Sequence, residues 1–247
     1  MQGTAPWYSD WQFWAFAVAA VAILLSQLPP IRSWFTAGRL EVVVQNRVHV
    51  NHKVGNTNVN LFVSLSCFGK AVRIKGASIK LSRDGKHVGT YNLRGFFETQ
   101  TSASASIFMP FLLRPEEVWT HTMTFYPDWP RAVEKAYRQS ESVLRANVQE
   151  KLAARNGMPG FVEGDPELVQ PLIDMLRRDF QWHEGEYTLT FDIETDSPSS
   201  AYSSEFKFTL FEADSEVLRS FEKRYPRGDG LWYWDHNVGI NIPLHVA

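Results

Sequence analysis

Between Phe13 and Leu25 no position is polar, whereas from Leu40 onward apolar and polar residues alternate, so the chain changes character within about forty residues. The uninterrupted apolar run lies in Trp11 to Leu28 (WQFWAFAVAAVAILLSQL). A hydrocarbon core about 30 Å thick is crossed by roughly 20 apolar residues at about 1.5 Å each, so the pattern predicts one transmembrane helix over 11–28. Trp7, Tyr8, Trp11 and Trp14 at one end of it, with Trp34 and Phe35 at the other, have the spacing of interfacial aromatic belts. A cleaved signal peptide fits less well, because no Lys or Arg precedes Trp11 and Pro29-Pro30 follows the run. Ala15, Ala19, Ala22 and Ser26 recur on one stripe, as helix self-association and a homo-oligomer would require, although alanine is common in such helices.

Beyond a proline-stiffened linker over 29–39, the period becomes two. Even positions from Leu40 to Val50 are apolar except Asn46, and Val59, Leu61, Val63, Leu65 and Cys67 share one face of the next strand. Val72 to Ile74, Ile79 to Leu81, Val88 to Leu93, Phe108 to Leu113 and Val118 to Tyr126 continue the series, with Asp84-Gly85 as a tight hairpin turn and Gly95 to Ser106 as a polar loop. The period then lengthens to that of a helix. Asp128 is placed to cap a first helix carrying Val133, Tyr137, Leu144, Val148 and Leu152. Asp165-Pro166 opens a second with Val169, Leu172, Ile173, Leu176 and Phe180 on one stripe. Strand alternation resumes at Tyr187, Leu189, Phe191 and Ile193, again at Glu205 to Phe211, and a short helix follows over Asp214 to Tyr225.

These elements predict a mainly β fold: an N-terminal tail over 1–10, the membrane helix, the linker, and an antiparallel, immunoglobulin-like β-sandwich over 40–247 with a two-helix insertion at about 128–180. The paired cysteines and core Trp of true immunoglobulin domains are absent, since Cys67 is the single cysteine. Arg32, Arg39 and Arg47 follow the span while Asp10 precedes it, which directs the tail outward and the domain into the cytoplasm; the opposite orientation places the domain in the periplasm.

Charge narrows the function further. With 25 basic and 27 acidic residues the net charge is −2, which argues against nucleic acid as a partner. The nucleotide-binding, nucleophile-elbow, zincin and Cys-x-x-Cys motifs are absent. His49 and His52 are three apart and face opposite sides of a strand; His121 shares the parity of core residues; Asp192 and Glu194 share a strand face whose ordinary role is solvation. We therefore assign no catalytic, cofactor-binding or metal-binding residue. The segment around Arg227, Trp232, Tyr233, Trp234, Asp235 and His236 combines the residue types that anchor interfaces, and it is the candidate contact with a partner or ligand. The expected function is that of a single-pass, non-enzymatic binding or scaffold protein whose partners are the bilayer and another protein. The alternative is a ligand-responsive membrane sensor acting through self-association of its helix.

Overall fold

The computed structural model describes residues 11–27, 37–99, 102, 104–155, 160–233 and 239–247. The apolar run forms helix α1 (Trp11–Gln27). At 17 residues it is about 26 Å long, and among the described residues no helix is long and apolar enough to cross a membrane. The expected span over 11–28 is thus present as an apolar helix but not, within those residues, as a complete crossing. The linker over 29–39 falls largely outside the described residues.

The remainder is mainly antiparallel sheet with helices inserted, as the alternating pattern predicts. Its strands are β1 (Arg39–Lys53), β2 (Asn56–Phe68), β3 (Val72–Arg83), β4 (Lys86–Phe97), β5 (Ser106–Ile107), β6 (Phe111–Leu113), β7 (Val118–Phe125), β8 (Gly185–Thr195), β9 (Tyr202–Leu210), β10 (Ile240–Pro243) and β11 (His245–Val246). They follow one path, β10-β1-β2-β7-β4-β3-β8-β9-β11, with β5 beside β4 and β6 beside β3. One strand changes partners along its length: β4 pairs with β3 up to Asn92 and with β7 from Leu93. The two ends of the path meet in sequence, because β10 pairs with β1 and β11 with β9, with only Leu244 between them.

Side-chain parity explains the core. Val48, Val50, Leu61, Val63, Leu65, Ile79, Leu81, Leu189 and Phe191 are fully buried and alternate with outward polar positions. The inward set of β3 shifts from Val72 and Ile74 to Ala77, Ile79 and Leu81 because the pairing with β8 gains a residue between Ile74 and Gly76. Cys67 lies in this core with its thiol donating to the Leu113 carbonyl, and burial raises its pKa.

The helices close one end. The β1–β2 hairpin turns through Val54 (φ 49°) and Gly55 (φ 84°), a left-handed pair in which a β-branched residue is strained. Packing holds it there: Val54 is fully buried, and a methyl added at Gly55 would meet Asp179 at 3.0 Å. Helix α2 (Arg131–Ala154) buries Tyr137, Leu144 and Val148, and α3 (Pro166–Asp179) buries Val169, Leu172, Met175 and Leu176. Asp128 does not cap α2, which begins after Pro130 without a side-chain cap; its carboxylate pairs with Arg94 instead. Asp165 does precede α3, yet its carboxylate accepts from Asn147 (2.7 Å) and Lys151 (2.6 Å) and so ties the two helices together. Helix α4 (Glu212–Ser220) runs into a 3-10 turn over Phe221–Arg227.

Candidate binding site

Of the C-terminal residues singled out by composition, Arg227 and Trp232 are engaged within the fold. The Arg227 guanidinium bonds the Glu163 carboxylate at 2.9 and 3.0 Å and lies 4.8 Å from the centre of the Phe161 ring. Gly228, at φ 84°, leaves room for the Trp232 indole, which a methyl there would meet at 1.9 Å. The Trp232 backbone N–H donates to the Gly228 carbonyl, and Tyr137 donates its hydroxyl to the Leu231 carbonyl at 3.1 Å. Tyr233 keeps 36% of its surface exposed. Trp234, Asp235 and His236 lie outside the described residues. Ala15, Ala19, Ala22 and Ser26 are exposed on α1, with the Ser26 hydroxyl turned onto the Ile23 carbonyl at 2.7 Å.

A second surface begins where that segment rejoins the sheet. Between Val44 and Val48, β1 advances four residues while β2 moves only from Val63 to Leu61, so Gln45, Asn46 and Arg47 bulge outward. Another bulge lies between Leu93 and Gly95 on β4. The Asn46 carbonyl accepts the Leu244 N–H at 2.9 Å, which pins the larger bulge to the C-terminal segment. Together these irregularities shape a polar depression of about 460 Å³, lined among others by Gln45, Arg47, His49, Asn60, Phe62 and Asn241.

Its lining presents one imidazole and one guanidinium among amides and hydroxyls. His49 Nδ1 lies 3.2 Å from the Asn241 side-chain oxygen, so the neutral ring carries its proton on Nδ1 and donates there. Burial lowers its pKa, with the Asn241 bond opposing. Arg47 is exposed and forms no ion pair with any described residue. Amides, hydroxyls and one cation line it together with Phe62 and Phe97, and no carboxylate or thiol is among the described lining residues. Sequence patterning marks this surface only at Asn46, the polar residue among the apolar even positions of β1.

The remaining candidates separate. His49 faces outward, whereas His52 is buried. His121 sits between Phe96 and Trp119, at 5.0 and 4.5 Å, with Nδ1 donating to the Phe97 carbonyl at 3.3 Å. Asp192 pairs with Lys80 at 3.1 Å and accepts from the Ser203 hydroxyl at 2.6 Å, and Glu194 on the same face is exposed.

No protein-family model matches the chain, and no curated protein does. Among solved structures, a protein from Archaeoglobus fulgidus aligns over 71% of this chain and 97% of its own, at 6% identity and a TM-score of 0.27. A likeness of that degree carries no argument about fold or function.

Proposed function

We propose that the chain is a membrane-tethered, non-enzymatic binding or scaffold protein whose sandwich-like β domain contacts another protein. The supporting observation is α1. Trp11, Phe16, Val18 and Ile23 on it are 75%, 74%, 67% and 62% exposed, and the helix is apolar on every side. Such a helix is stable only when something apolar covers it. A bilayer does so, with the tail outside and the domain cytoplasmic. The partner-facing surface is the bulged polar face around Arg47, His49 and Asn241.

Two measurements test this reading. The full chain in cells should sediment with membranes, resist alkaline carbonate and be released by detergent; Val18→Arg with Ile23→Arg should move it to the supernatant. Carbonate release of the unaltered chain would refute the anchor. A partner should co-purify after detergent extraction and be lost on Arg47→Glu; recovery of the chain alone would refute the scaffold role.

A further inference from the structure

We infer that the cleft where the β1–β2 hairpin meets the start of α2 binds a small aromatic monocarboxylate. The cleft, about 510 Å³, is lined among others by Lys53, Asn58, Tyr126, Asp128, Trp129 and Glu134. It is distinct from the polar depression around Arg47 and does not depend on membrane attachment.

The argument turns on which of its groups are already engaged. Asp128 is paired with Arg94, and Glu134 accepts from Arg138 at 2.7 and 2.9 Å. The Asn56 amide donates to the Pro127 carbonyl at 3.2 Å, and Asn58 accepts from the Thr124 hydroxyl at 2.9 Å. Lys53, in contrast, has no carboxylate within ion-pair distance among the described residues; its ammonium rests over the Tyr137 ring, 4.9 Å from the centre. The indole N–H of Trp129 and the hydroxyl of Tyr126 likewise have no hydrogen-bond partner among the described residues. One cation and two neutral donors of the lining therefore have no protein acceptor among the described residues, and Tyr126 is 37% exposed.

The ligand class follows from that set and its surroundings. A carboxylate supplies acceptors for Lys53 and the neutral donors. Tyr126 and Trp129, the latter 4.8 Å from the Tyr137 ring, give the cleft aromatic walls for a flat apolar body. A dianion such as a phosphate ester is disfavoured, because Asp128 and Glu134 share the lining and only Lys53 among its cations lacks a carboxylate partner. Burial also holds the Lys53 pKa below the usual lysine value, against the opposing field of Glu141. An anion beside the amine favours its charged form, so occupancy must raise that pKa.

The test uses the full chain in detergent micelles, with lysines reductively methylated with ¹³C, benzoate as the probe and benzamide as its neutral isostere. Calorimetry should give benzoate binding at least about tenfold tighter than benzamide, the scale of one charged hydrogen bond. The Lys53 methyl resonance should titrate at higher pH in saturating benzoate. Lys53→Met should weaken benzoate about tenfold or more and leave benzamide unchanged, and Trp129→Phe should weaken it about threefold. If Lys53→Met fails to fold, the Lys53 titration in the unaltered chain still decides. Absence of benzoate binding, equal binding of benzamide, or an unmoved Lys53 titration would overturn the proposal.

Discussion

The Trp182 indole donates its N–H to the backbone carbonyl of Asn51 at 2.7 Å, joining residues 131 positions apart. Trp182 is fully buried, and its own carbonyl accepts the Ser215 hydroxyl at 2.7 Å. One side chain between α3 and β8 therefore fastens that crossover to β1, while its backbone holds α4.

Trp182→Phe keeps most of the buried volume but removes the donor, and it should cost about 1 to 3 kcal/mol. Trp182→Ala also opens a cavity and should cost about 3 to 5 kcal/mol. Urea unfolding followed by circular dichroism measures both. Equal losses would mean that the hydrogen bond, rather than packing, supplies the whole effect.

The buried His52 makes stability depend on pH. Its Nε2 lies 2.9 Å from the Leu218 carbonyl while Nδ1 accepts the Gly55 N–H at 3.3 Å, so the neutral ring has both nitrogens engaged. Burial pushes its pKa down to about 4, with the Leu218 bond opposing. In the unfolded chain the value is about 6.5. As pH falls below that, the unfolded chain takes up a proton that the folded chain refuses. This contribution is therefore intact above about pH 6.5, declines towards pH 4, and amounts to about 3 kcal/mol. Burial lowers the pKa of His49 and His183 too, and they act in the same direction. His52→Gln should lower stability at pH 7.5 yet flatten the decline between pH 6.5 and 4.5; an unchanged slope would assign the decline to other groups.

Much of this architecture was readable in the chain because burial on one face imposes a period. Leu40 to Val50, Val59 to Cys67 and Tyr187 to Ile193 have the parity of their burial, and the helical stripes at Tyr137, Leu144 and Val148 and at Val169, Leu172 and Leu176 face the core. What escaped reading depends on partners distant in sequence. Asp128 has the form of a helix cap but is drawn to Arg94, thirty-four residues earlier. The bulge at Asn46 is held by Leu244, and Gly95 to Ser106, read as a loop, begins as the end of β4 because β7 lies beside it. Trp182 has no periodic neighbours to reveal its burial.

Gly228 and Arg227 should differ sharply despite being adjacent. Gly228→Ala places a methyl inside the Trp232 ring at a positive φ, so the ring must leave. A loss of about 2 kcal/mol or more is expected, with tryptophan emission shifted to the red. Arg227→Ala breaks an ion pair whose partners are 44% and 55% exposed. That should cost less than about 1 kcal/mol. A larger loss would mean that stacking on Phe161 is the main contribution of this arginine.

Leu244 tests whether the closing segment controls the polar depression. Its side chain is buried, its N–H holds the Asn46 carbonyl, and the strands on either side of it bind opposite ends of the sheet path. Leu244→Ala should cost about 2 to 5 kcal/mol through the cavity it leaves. If the segment is what fixes the bulge, amide exchange should accelerate in Gln45 to His49 and in Phe206 and Lys207, on both of its pairing partners. Residues in the Asp84-Gly85 hairpin, far from it in the ladder, should keep their protection. Acceleration confined to β9 would show that the bulge is held by β2 and Asn241 without help from the C-terminal segment.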